Sequence, residues 1–189
     1  MSDADRIRWD LRYRERPTGP VAACAVLQDH AYLLPSTGEA LDIACGLGGN
    51  ALLLAEHGLR TRAWDIAPSA IDALNAVARP GLSAEARDVM TDPPEADSFD
   101  VIVVSRYLER ALCPAIAAAL RPGGLLFYQT FVREAVDDTG PRTAAFRLEP
   151  GELLSLFAGL QVVHYTDLAC IGDTAQGLRN EAQLIAQRR

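Results

Sequence analysis

The sequence predicts an α/β fold, a doubly wound and mostly parallel sheet of seven strands with an antiparallel last strand. Three observations carry this. Short apolar runs alternate with helical periods from residue 39 to residue 131, the pattern of βαβ units joined by right-handed crossovers. The first run, 40–44, breaks off in a turn built on Gly46, Gly48 and Gly49, and a helical period follows from Ala51 to Glu56. Two late runs, Gln161–Leu168 and Glu181–Gln187, have no full helix between them, which implies an antiparallel pair at the sheet edge.

Length and composition narrow the class. At 189 residues a single domain is expected. A net charge of −7 disfavours a broad nucleic-acid footprint. No apolar run approaches the length of a membrane span, and the polar start lacks a signal-peptide core. The four cysteines, Cys24, Cys45, Cys113 and Cys170, form no CxxC pair, and the three histidines are far apart. No metal site is expected, and a reducing, cytoplasmic setting is.

Taken in order, Ser2–Glu15 mixes charges of both signs with Ile7, Trp9 and Leu11, and Asp10 and Arg14 stand at i,i+4, which predicts a short solvated helix. Five arginines lie between Arg6 and Arg16, but interleaved acids make this a solvated face, not a basic patch. Pro17–Pro20 breaks the helix, and a second helical period covers Val21–Leu34 before Pro35. Past the glycine turn come a strand at Leu59–Trp64, a helix from Pro68 to about Ala78 and a strand at Leu82–Arg87. The β-branched run Phe99–Val104 reads as a central strand buried on both faces. A helix over Leu108–Leu120 turns at Pro122-Gly123-Gly124 into a strand at Leu125–Phe131. Val132–Leu148 is polar and aperiodic, the signature of a functional loop. A helix at Pro150–Phe157 precedes the two late strands.

In a sheet of this kind the ligand lies beyond the carboxyl ends of the strands. Three acids fall in or at the ends of the first three strands: Asp42, Asp65 and Asp88. Asp65 stands 19 residues past Gly46, where a carboxylate can accept from both hydroxyls of an adenosine ribose. Asp88 can accept from the exocyclic amine of an adenine, with the backbone of Val89 against the ring. Gly46-Leu47-Gly48-Gly49-Asn50-Ala51 fits the dinucleotide pattern G-x-G-x-x-A. An acid inside the preceding strand, Asp42, suits a cationic ligand better than a pyrophosphate.

The ordered set of Leu41–Gly48, Trp64-Asp65-Ile66, Arg87-Asp88-Val89, Phe99–Val104 and Leu120–Gly124 resembles the motifs of class I S-adenosylmethionine-dependent methyltransferases. The resemblance implies a Rossmann-like methyltransferase fold and S-adenosyl-L-methionine as cofactor. It puts Ala44, Gly46 and Gly48 against the methionine part, Asp65 and Ile66 on the ribose, Asp88 and Val89 on the adenine, and Ser105 near the methionine amine. Trp9-Asp10-Leu11-Arg12-Tyr13 followed by a helix is similar to the small tellurite-resistance and thiopurine-type methyltransferases, whose N-terminal segment closes over the cofactor. That implies cover by Trp9 and Arg12, with Arg12 pairing with the cofactor carboxylate. The corresponding division is a helical cap at 1–36, a cofactor-binding core at 37–131, a substrate loop at 132–149 and a helix with two antiparallel strands at 150–189.

Arg106 and Tyr107 follow the fourth strand and are the candidates for a catalytic role. Arg133, Arg142 and Arg147 in the polar loop could draw an anionic acceptor or simply keep the loop soluble. His164 lies mid-strand and Cys45 in the glycine turn; packing accounts for both. A small-molecule acceptor is expected, with a monomer or homodimer, no membrane and no nucleic-acid partner. A protein or RNA acceptor, a nucleotide-dependent oxidoreductase and a non-catalytic cofactor-binding subunit stay open as alternatives.

Overall fold

A strand that is apolar at nearly every position has no polar face to offer water, so it takes the middle of a sheet. Phe99–Ser105 (β4) does this. In the computed structural model, which describes residues 3–15, 21–77 and 79–189, β4 is the fourth of seven strands. The others are Glu39–Ile43 (β1), Arg60–Asp65 (β2), Leu82–Ala86 (β3), Leu120–Phe131 (β5), Gln161–Thr166 (β6) and Glu181–Gln187 (β7). Their spatial order is β3-β2-β1-β4-β5-β7-β6. The pairs among β1 to β5 are parallel, and β7 runs antiparallel to both β5 and β6.

The helices are α1 (Asp3–Arg14), α2 (Ala25–Asp29), α3 (Gly49–Glu56), α4 (Pro68–Asn75), α5 (Cys113–Ala119) and α6 (Glu152–Leu156). One face of the sheet packs Ile102, Val104, Leu126, Tyr128 and Leu184 beneath α5 and α6. The other packs Val101, Val103, Phe127 and Ile185 against Val26 and Leu27 of α2. Helix α1 lies on α4 and carries no buried side chain. No helix of the described residues is long and apolar enough to cross a membrane.

Three expected elements differ. The helical period over Val21–Leu34 yields only the five residues of α2 and a 3₁₀ turn at Ala31–Leu33. Residues 21–24 form no regular element, and the carbonyls of Val21 and Ala22 lie against Gly49, where an added Cβ would sit 2.6 Å from each. The helix expected from Leu108 starts at Cys113, since Pro114 fits only its first turn. The strand expected from Leu125 begins at Leu120, and Pro122-Gly123-Gly124 is an irregularity within it. Gly123 takes φ +83°, and its N–H donates to the Arg188 carbonyl, which keeps the stretch in the sheet. The break at Pro17–Pro20 and the end of the α4 period at Ala78 lie outside the described residues.

Candidate active site

Strands β1, β2 and β4 end side by side because their registers align Ile43 with Trp64 and with Val104. Just past β1 the chain turns back on itself. Ala44 has φ +54°, strained for a residue with a side chain, and Gly46 and Gly48 follow at +52° and +81°. Gly48 then stands at the N-cap of α3. An added Cβ there would meet Leu74 Cδ1 at 2.4 Å, and at Gly46 it would meet the Tyr13 hydroxyl at 2.7 Å. Tyr13 is thus an α1 side chain that touches the turn.

Each of the three strand-end acids does a different job. Asp42 is fully buried; its oxygens accept from Asn50 Nδ2 at 3.2 Å and the Ala51 N–H at 3.1 Å. It braces the start of α3 from beneath. Burial pushes its carboxyl up to about 7. Asp65 accepts from the Gly46 and Ala67 N–H groups, both at 2.9 Å, and burial raises its pKa too. Asp88 is half-buried, and one oxygen accepts from the Met90 N–H at 3.0 Å. Val89 is buried beside it.

A cavity of about 200 Å³ opens at Asp88, walled by Ile66, Pro68 and Ala86 and overhung by Asp3 and Arg6 of α1. Asp88 offers an acceptor and Ile66, Pro68 and Ala86 an apolar surface, beside the charged Asp3, Arg6 and Arg87, a lining that fits a purine with an exocyclic amine. These residues, with the turn and Asp65, therefore fit an adenosyl cofactor.

Two residues that sequence reasoning did not single out tie the site together. Asn50 is buried; its Nδ2 donates to Asp42 and to Ser105 Oγ at 3.0 Å, and its Oδ1 accepts the Cys24 N–H at 2.8 Å. Gln129 Oε1 accepts from the Val26 N–H at 2.8 Å and from Gln183 Nε2, while its Nε2 donates to Glu181. Apart from Asp42, the partners of both are tens of residues away in the chain, so no local pattern marked them. Asn50 had a faint signal, a polar residue at the buried start of an apolar helix.

On α1, Trp9 is half-buried and stacks on Tyr13 at 6.0 Å, and the exposed Arg12 lies over the Trp9 ring at 5.1 Å. The helix is pinned by Asp10, which accepts from the Ser69 N–H and, through its carbonyl, from Ser69 Oγ. Past β4, the Tyr128 hydroxyl donates to the Tyr107 carbonyl. Burial, then Glu109, pushes the Tyr107 phenol well above its ordinary value. Arg106 has φ +54° and donates through Nε to Glu181 at 2.7 Å.

The loop arginines are mostly structural. Arg147 donates to the carbonyls of Val132, Thr139 and Pro141. Arg133 pairs with Glu149, and Arg110 holds both Glu152 oxygens and the carbonyls of Ala145 and Arg147. His164 rests 4.4 Å from His30, ring to ring, far from the turn. Cys45 is buried, with its thiol pushed well up by that burial.

Comparison with known proteins bears on this geometry. Residues 40–124 match the family described as Methyltransferase domain. The ribosomal protein L11 methyltransferase of Dechloromonas aromatica (strain RCB) is 38% identical over 102 residues, which are 52% of this chain and 34% of that protein. The chain thus spans about a third of that relative's length. The ubiquinone biosynthesis O-methyltransferase of Xanthomonas axonopodis pv. citri (strain 306) is 26% identical over 185 residues, 91% of this chain and 73% of that one. TehB from Haemophilus influenzae shares the fold with a TM-score of 0.73 at 18% identity, over 96% of this chain and 67% of that one. Over residues 40–124 the chain is similar to methyltransferase domains, and its strand order shares the fold of S-adenosylmethionine-dependent methyltransferases of known structure.

Proposed function

We propose that the chain transfers a methyl group from S-adenosyl-L-methionine to a small-molecule acceptor by in-line displacement. The observation that carries this is the grouping of the Gly46–Gly48 turn, Asp65 and the Asp88 cavity at the ends of three adjacent strands. The cofactor, when bound, supplies a methyl carbon activated by a sulfonium.

The chain's residues bind and orient. Asp65 and Ile66 hold the ribose, and each Asp65 oxygen keeps a lone pair beyond its backbone bond. Asp88 and Val89 hold the adenine. Ala44, Gly46 and Gly48 let the backbone come close to the methionine part, and Ser105, fixed by Asn50, faces its amine. The buried charge of Asp42 beneath the turn favours a cation above it. Trp9, Arg12 and Tyr13 cover the site from α1 and exclude water. Tyr107, with its raised pKa, is a poor general base. This favours an acceptor that is nucleophilic without one, such as a thiolate or an oxyanion.

Support for a small acceptor comes from what stands around the mouth. Helix α1 reaches Gly46 on one side, and the loop 132–148 is laced down by Arg110 and Arg147 on the other. The similarity to the L11 methyltransferase covers about half of this chain.

Calorimetric titration with S-adenosylhomocysteine, on the wild type and on Asp65→Ala, tests the reading. Micromolar binding lost in the variant supports it, and a screen of thiols, phenols and chalcogen oxyanions then follows. No binding by the wild type, with binding of NAD instead, would overturn it.

A further inference from the structure

We propose that Arg106 selects the methyl acceptor, and that it selects an anionic oxygen group, a carboxylate or related oxyanion. This deepens the methyltransferase reading above and rests on it.

The argument begins with the backbone. Arg106 directly follows β4 and has φ +54°, a conformation strained for a residue with a side chain. Its N–H donates to the Gln129 carbonyl at 2.8 Å, so the strained turn is locked to β5. The turn carries the guanidinium across the end of the sheet to the start of β7. There Nε donates to Glu181 at 2.7 Å. Glu181 is 4% exposed, and Gln129 Nε2 donates to its other oxygen. Two buried groups on β5 and β7 thus set the direction of one arginine.

The Arg106 side chain is nevertheless 65% exposed. Among the described residues, its guanidinium makes no other hydrogen bond or ion pair. A guanidinium offers five N–H donors in a rigid planar fork, and Glu181 takes one through Nε. The donors on the two Nη atoms remain for a ligand. Plain neutralisation of Glu181 would be served by an arginine buried with it. The observed arrangement sinks the inner edge of the fork and leaves the outer edge in solvent.

The surroundings fit this role. Ser105, the preceding residue, is joined through Asn50 to the glycine turn. Asp88 and the adenine cavity lie at the opposite end of the strand row, so Arg106 stands on the side away from the adenosine. The acids at the strand ends, Asp65 and Asp88, repel an anion, and a fixed arginine gives it one place to dock. Planar pairing of this kind is geometrically selective for carboxylates and oxyanions.

The test is calorimetric titration of protein loaded with S-adenosylhomocysteine. The probes are acetate, benzoate and selenite, with acetamide and benzamide as neutral partners. At least one anion is expected to bind about tenfold tighter than its neutral counterpart. Arg106→Gln should erase that preference while affinity for S-adenosylhomocysteine stays within about twofold of wild type. Arg106→Lys keeps a cation for Glu181 and secures the fold; it should still lose about fivefold of anion affinity, because the fork is gone. Loaded wild type that binds no anion, a preference that survives in Arg106→Gln, or one that is undiminished in Arg106→Lys, overturns this inference alone. Wild type that takes up no S-adenosylhomocysteine overturns the methyltransferase reading with it.

Discussion

The Asp65 carboxylate accepts the Gly46 N–H at 2.9 Å, so the acid that ends β2 holds the turn that ends β1. Its second oxygen accepts the Ala67 N–H. Asp65→Ala leaves two buried donors without partners and should cost about 2–4 kcal/mol. Urea unfolding measures this. Affinity for S-adenosylhomocysteine should fall at least about tenfold in the same variant, because the ribose acceptor and the turn geometry are lost together.

Asp42 gives a pH dependence of definite sign. Its pKa is raised by burial to about 7, against roughly 3.9 in an unfolded chain. Folding therefore takes up a proton between those values. The stability it contributes is fully present below the unfolded pKa and is lost as pH rises through about 7. Asp65 shifts in the same direction. Urea midpoints of the wild type should fall between acidic and neutral pH, by up to about 1.4 kcal/mol per pH unit for one group. In Asp42→Asn the decline should be shallower, and an unchanged slope would remove Asp42 as its source.

Asn50 links four segments through one side chain. Asn50→Ala takes partners from the Cys24 N–H, Ser105 Oγ and Asp42 at once. A loss of about 2–4 kcal/mol is expected. Hydrogen exchange should show the segment 21–29 losing protection before the central strands do, since the Cys24 bond fastens it to α3.

Thr130 sits on β5, nearly fully buried, and its hydroxyl has no partner among the described residues. Thr130→Val keeps the shape and removes the unsatisfied group. It should raise stability by about 1 kcal/mol, seen as a higher melting temperature. A drop would mean that the hydroxyl is hydrogen-bonded in solution.

The elements that sequence predicted best are those whose burial is written in every residue. Phe99–Val104 is apolar but for Asp100, and Glu181–Gln187 is apolar at Ala182 and from Leu184 to Ala186, so the strand follows from local pattern. Val21–Leu34 misled because its helical period is real, but the packing of Val21 and Ala22 on Gly49 overrides it. The acids Asp65 and Asp88 were legible because they stand at strand ends near a glycine turn. Asn50, Gln129 and Glu181 were not, because what defines them is a partner reached only through the fold. Tyr13 was not singled out, because its approach to Gly46 follows from how Asp10 sets α1 on Ser69.

The shallow seating of α1, whose inner side chains are only half-buried, has a consequence for how the molecule can evolve and operate. A helix that buries no side chain contributes little to the cooperative unfolding of the sheet, and its hold can be loosened or tightened by single surface changes. Ligand exchange at the turn can then proceed on its own clock, independent of global opening. Selection on turnover can act through Asp10, Tyr13 and their neighbours while the core of β1, β4 and β5 keeps the melting temperature where it is.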